Sequence, residues 1–346
     1  MGASANVVSA KVRALYGHRL MPEDYNAMLH AHSVSEVASY LKTHTGYKAA
    51  LADVNESTLH RGYLETILRR CRFEQLTALS RYESMTRMPL SEAFIRFGEI
   101  RQLLLFLRLL GAGRPEAYFF DMPLYFNSHS RLNLVGLSEV RSYDDLCALL
   151  DGTEYARTVR QFPPDENGRI PLPETETALY TDWYREFFDR IRRYTHGEER
   201  RQLTELLSQH LNTRNVLRIY RLKQYFDRTP EQIRPYLIAP SCGMPQASLE
   251  RLLQADAGQV IPLFAQMPAG RGIPADRFAD LAQLQHHVTA YRSRHYIHYS
   301  VYPSVVLLSY MFISGAEVDD IVNIIEGIRY GLSPAQIRRL LTVSMR

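Results

Sequence analysis

The chain has 346 residues, room for two or three units of roughly 100–200 residues and for a substantial buried core. Hydrophobic residues make up 46% and charged residues 23%, a water-soluble, globular balance, and a net charge of +4 is too slight to argue for a nucleic-acid partner, though it allows a local basic face near phosphate or lipid head groups. Cys71, Cys147 and Cys242 are widely spaced and odd in number; they suggest neither a disulfide framework nor a zinc spacing and read as reduced thiols in a cytoplasmic protein.

From the start, "MGASANVVSAKVRALYGHRL" lacks a basic segment followed by a continuous apolar run, so it does not read as a secretory signal, and Asn6 stands where a myristoylation motif prefers Ser or Thr. "PEDYNAMLHA", "TPEQIRPYL" and "SPAQIRRLL" each read as a helix start with Pro in the first turn. Apolar residues at three-to-four spacing predict helices through "GYLETILRRCRFEQLTAL" and "RQLLLFLRLL", and strict alternation is scarce, so few strands are expected. "GAGRPE" at 111–116 reads as a helix C-cap and turn. Residues 161–177, with four prolines and a glycine, read as a linker. Residues 295–316 carry no formal charge, but Pro303 and the interspersed polar groups favour a buried helix over a membrane span.

The chain also repeats itself. Shifted by 108 positions, Ala38 falls on Leu146, Leu41 on Leu149, Thr45 on Thr153, Tyr47 on Tyr155 and Leu51 on Val159. Each copy has an entry helix, a turn with Pro or Gly, a short second helix and a closing helix, and "DDIVNIIEGIRYGLSPAQIRRLL" repeats the entry and second helix once more. The expectation is an all-α fold of three pseudo-repeated modules arranged as a funnel or collar: 1–96 completed by 317–346, then 97–210, then 211–316.

"LMPEDYNAML…LKTHTGYKAAL", "EIRQLLLFLRLLG", "NTRNVLRIYRLKQYFDRTPEQIRPYLI" and "AEVDDIVNIIEGI" resemble, in order and spacing, the C-type subunits of the bacterial and archaeal V/A-type rotary ATPases, whose eukaryotic counterparts are the d-type subunits of V-ATPases. Where that family commonly reads Glu, any residue, Arg, Asn, Glu317 matches and Asp319 and Asp320 replace the last two. The resemblance implies a non-catalytic peripheral subunit on the cytoplasmic face of the membrane, one copy per complex and a monomer alone. It would form a socket joining the central-stalk subunits to the membrane rotor ring for ATP-linked proton or sodium transport, with no cofactor; apart from the resemblance, the basic residues suggest anionic lipid head groups nearby. The competing class is a helical-repeat scaffold for another cytoplasmic protein.

The residues agree with a role without catalysis: there is no G-x-x-x-x-G-K-[ST] cradle, no G-x-S-x-G elbow and no H-E-x-x-H pair. His286, His287, His295 and His298 lack the convergent ligands a zinc site needs. Arg214, Arg218 and Arg221 form a cationic stripe opposite Val216, Ile219, Tyr220 and Phe226. Polar groups on the entry helices, Lys11 and Arg13, Arg101, the arginine stripe, and Asp320 and Asn323, are expected on an inner wall that grips a stalk. The candidate stalk or ring interface is therefore Arg101, Arg214, Arg218, Arg221, Glu317, Asp320 and Asn323.

Overall fold

The structure, a computed structural model, describes residues 3–55, 61–82, 88–271 and 284–342. Every regular element among them is helical. In chain order these are α1 (Ala3–Gly17), α2 (Pro22–Leu29), α3 (Val34–His44), α4 (Arg61–Ser80), α5 (Leu90–Gly111), α6 (Tyr118–Asp121), α7 (Leu124–Asn127), α8 (Leu134–Glu139) and α9 (Tyr143–Leu149). There follow α10 (Ala156–Arg160), α11 (Leu172–Tyr194), α12 (Gly197–Phe226), α13 (Pro230–Ile233), α14 (Gln246–Gln254), α15 (Ala257–Gln266), α16 (Leu284–Tyr299), α17 (Pro303–Arg329) and α18 (Pro334–Arg339).

Their starts follow from side chains that replace missing backbone partners. Thr229 Oγ1 accepts from the Gln232 N–H and Ser333 Oγ from the Gln336 N–H, while each glutamine reaches back to the N–H of its capping residue. At α2 the Asp24 carboxylate accepts from the Met21 N–H at 2.7 Å. The expected linker is shorter than 161–177, because α11 already begins at Leu172. Pro171 and Pro173 flank the first helical position, where a missing N–H costs nothing, and the Pro171 carbonyl accepts from both the Thr175 N–H and hydroxyl. Instead of breaking a helix, these prolines open one.

Two compact units divide the chain, one from 1–89, 194–213 and 261–346, the other from 90–193 and 214–260. In the first, α3 and α4 bury Val37, Ala38, Leu41, Leu64 and Leu68 against Ile321, Ile324 and Ile325 of α17, with Met28 and Leu29 of α2 in the same core. The uncharged stretch at 295–316 forms the end of α16 and the start of α17, which pack as a helical hairpin; Val305 to Met311 are all buried. Arg13 closes the end of α16 by donating to the Ile297 and Ser300 carbonyls, each at 2.8 Å. No described helix is long and apolar enough to cross a membrane. The second unit is built on α5 and α11. Trp183 Nε1 donates to the Ala93 carbonyl at 2.7 Å, and its ring lies 5.0 Å from Phe97 and 5.2 Å from Phe187.

Three helices that the sequence reads as entry helices each end on a left-handed residue. After α5, Gly113 takes φ +69° and the Arg114 N–H donates to the Leu109 carbonyl; after α17, Gly331 takes φ +67° and the Leu332 N–H donates to the Gly327 carbonyl. Both have the six-to-one closure of a Schellman end. After α12 the left-handed residue is Asp227, φ +47°, and the Arg228 N–H reaches one residue further back, to the Leu222 carbonyl. The left-handed region suits glycine and strains a side chain. Asp227→Gly is therefore expected to preserve or raise stability by up to about 1 kcal/mol, and Gly331→Ala to lower it by about as much or more. Thermal melts of the two variants decide it; an Asp227→Gly loss as large as that of Gly331→Ala would show that the α12 corner is held by something other than its backbone.

Candidate functional site: buried polar clamps and the remaining exposed cations

Glu317 on α17 is buried, and both its oxygens are engaged. Oε2 accepts from the Leu20 N–H at 2.8 Å and Oε1 from the Tyr47 hydroxyl at 3.0 Å. Leu20 sits between α1 and α2, and Tyr47 follows α3, so one carboxylate pins two connections to α17. Glu99 on α5 is fully buried and does the same in the second unit, accepting from the Tyr155 hydroxyl, the Ser130 hydroxyl and the N–H groups of Arg131 and Leu132. The two tyrosines that the sequence repeat pairs thus have one environment: each donates its phenol to a buried glutamate on an entry helix. Burial and the neighbouring carboxylate raise both phenols above the usual tyrosine range.

A second kind of contact recurs on α17 and α12. Asp320 Oδ1 accepts from the Thr342 N–H, at 2.6 Å, just after α18. Asn215 on α12 does this for Ile238 after α13, accepting from its N–H at 2.9 Å and donating to its carbonyl at 2.8 Å. Both anchor the segment that follows an entry helix and its capped second helix.

These contacts relocate most of the expected interface. Glu317 and Asp320 are buried and bonded within the fold, and Asn323 donates to the Leu340 carbonyl. Arg218 is spent internally too: it donates to Thr177 Oγ1, the Tyr236 carbonyl and Glu176, at 2.6–2.8 Å. Arg214 stacks 3.9 Å from the Tyr180 ring centroid, with Glu176 at 3.6 Å. Sequence spacing shows a helix face but not the α11 residues laid against it, which is why the stripe reads as a side left free for a partner. Among the seven candidates, Arg101 and Arg221 are exposed. Phe226, placed by sequence on the packed side, is also exposed. Lys11 is exposed and meets the Tyr82 hydroxyl, whereas Arg13 holds the end of α16. Asp319, where the family commonly has Arg, pairs with Arg69 at 3.3 Å.

The histidines do not converge either. His286 lies 3.9 Å from Asp319, His295 packs on Tyr299, and His298 stands edge-on to Tyr16. Among the described residues no group of three or more His, Cys, Asp or Glu is placed to hold a metal. A cleft of about 310 Å³ opens beside the Glu317 clamp, but the polar groups facing it serve the fold. Arg72 donates to the Met311 carbonyl and Ser314, and the Tyr310 hydroxyl to Gln75.

Nothing in these contacts activates a nucleophile; they are helix anchors, repeated. The family model described as ATP synthase (C/AC39) subunit matches residues 8–340. The chain belongs to that family. Its members are subunits of V/A-type rotary ATPases. No curated protein matches the sequence.

The Glu317 clamp has a pH signature. Burial holds the carboxyl above its usual range, against the opposing hydrogen bonds from Leu20 and Tyr47. The folded protein keeps that proton to higher pH than the unfolded chain, so the stability due to this group is full in acid and lost as pH rises through the folded-state pKa. Relative to wild type, Glu317→Gln is expected to gain stability between mildly acidic and neutral pH, whereas Tyr47→Phe, which strips a donor from a buried acceptor, should cost about 1–3 kcal/mol. Melts of both variants across that range test the pair; a Gln variant that tracks wild type at every pH would mean that Glu317 does not titrate there.

Proposed function

We propose that this protein is the non-catalytic socket of its rotary ATPase, seated peripherally on the cytoplasmic face of the membrane and joining the central stalk to the rotor ring for proton or sodium transport. One observation carries the reading: the family match runs through nearly the whole chain, including every anchored entry helix. The recurrent glutamate–tyrosine clamps and left-handed helix ends support three modules, 1–96 with 317–346, 97–210 and 211–316, forming a collar for a shaft. A torque-bearing part needs entry helices that do not slide, and buried charge-assisted hydrogen bonds to backbone resist sliding better than apolar contact alone.

Arg101 and Arg221 are the cations of the expected interface left for stalk or ring. The affinity-tagged full chain should co-purify with stalk and ring subunits from its own cells, and Arg101→Glu with Arg221→Glu should weaken that association and ATP-driven ion transport while leaving the melting temperature unchanged. Undiminished association and transport in the double variant would remove these cations from the interface, and failure of the wild-type chain to bring down any ATPase subunit would sink the socket.

A further inference from the structure

The last turn of α12 ends in two adjacent aromatics that face water: Tyr225 is 69% and Phe226 64% exposed. Lys223 and Arg228 flank them, with Arg221 a turn earlier, and the one acid in 221–228 is Asp227. Among the described residues none of the three cations forms an ion pair. Lys223 suits the negative end of a helix on its own account, but two exposed aromatics do not.

Successive helical residues point about 100° apart, so Tyr225 and Phe226 cannot line one stripe for a partner helix to lie along. They form a protruding tip, left standing where the left-handed Asp227 turns the chain away toward α13. A helix end with two exposed aromatics and cations on either side in sequence matches the chemistry of a bilayer surface: rings enter the head-group layer, the phenol stays wet, and the cations meet lipid phosphates. The same unit contains a contrasting pair. Phe119 and Phe120 are 62% and 85% exposed, their rings 5.6 Å apart, but Glu116 and Asp121 flank them against Arg114. Exposure at least comparable, with opposite net charge, makes that pair an internal control.

We infer that the α12 tip, Lys223, Tyr225, Phe226 and Arg228, is a contact for an anionic phospholipid surface. This goes beyond the socket reading and needs neither stalk nor ring. The test uses the purified full chain with sedimentable vesicles of phosphatidylcholine, with or without phosphatidylglycerol. Wild type is expected to bind the anionic vesicles, less so as salt rises. Tyr225→Ser/Phe226→Ser and Lys223→Gln/Arg228→Gln should each weaken binding on the order of tenfold, and Phe119→Ser/Phe120→Ser should not. Should the serine pair disturb folding, Tyr225→Trp supplies a second readout, a blue-shifted emission on anionic vesicles over the background of buried Trp183. No wild-type binding, equal binding by the tip variants, equal loss in the Phe119/Phe120 control, or an unshifted tryptophan overturns the inference. Vesicle binding without ATPase co-purification would keep it and sink the socket; co-purification without vesicle binding would do the reverse.

Discussion

A carboxylate taken out of water is costly unless donors replace the water, and at Glu99 and Glu317 backbone N–H groups and a tyrosine phenol offset part of that cost. Much else depends on this. Because the Leu20 N–H and the Tyr47 hydroxyl share one acid on α17, the turn between α1 and α2 and the segment after α3 cannot shift independently. Asp320 fixes the stretch after α18 from the same helix, so α17 is a spine to which segments distant in sequence are fastened by polar contacts inside an apolar core. Apolar packing supplies the bulk of the driving force, but it is non-directional, and directional contacts set the register.

How much of this is legible in the sequence depends on reach. Helix starts are legible because Thr229 with Gln232, and Ser333 with Gln336, lie three residues apart. The kinship of Tyr47 and Tyr155 is legible as spacing, but its cause is not: the acid that Tyr47 serves lies 270 residues away. The arginine stripe fails for the same reason. Arg214 and Arg218 share a helix face, and nothing local reveals that Glu176 and Tyr180 of α11 lie against it. Pro171 and Pro173 mislead because the ring that breaks a helix interior is well suited to a first turn, and the Thr175 bonds that settle which applies are visible only in the folded chain.

The three corners show what repetition keeps and what it releases. Gly113 and Gly331 use the residue that a left-handed φ favours, and Asp227 fills that place with a side chain and a wider closure. The geometry is retained at some local strain, while the exposed groups beside it differ: Ala112 precedes one corner, Tyr225 and Phe226 another, Tyr330 the third. Anchors inside the helices and variety at their tips are what a scaffold needs if its modules share a build but meet different surroundings.

The core that joins α2, α3 and α4 to α17 and α18 also orders events during synthesis. Translation delivers Val37, Leu41 and Leu64 about 260–290 residues before Ile321, Ile324 and Ile325, their permanent neighbours. At roughly 5–20 residues per second, the early helices spend on the order of ten seconds or more without them, and every residue of the second compact unit is made within that interval. The second unit can assemble first, and the first is completed only when α17 emerges. Through that interval the nascent chain carries an unfinished apolar surface, the kind that chaperones hold and that aggregates when they do not.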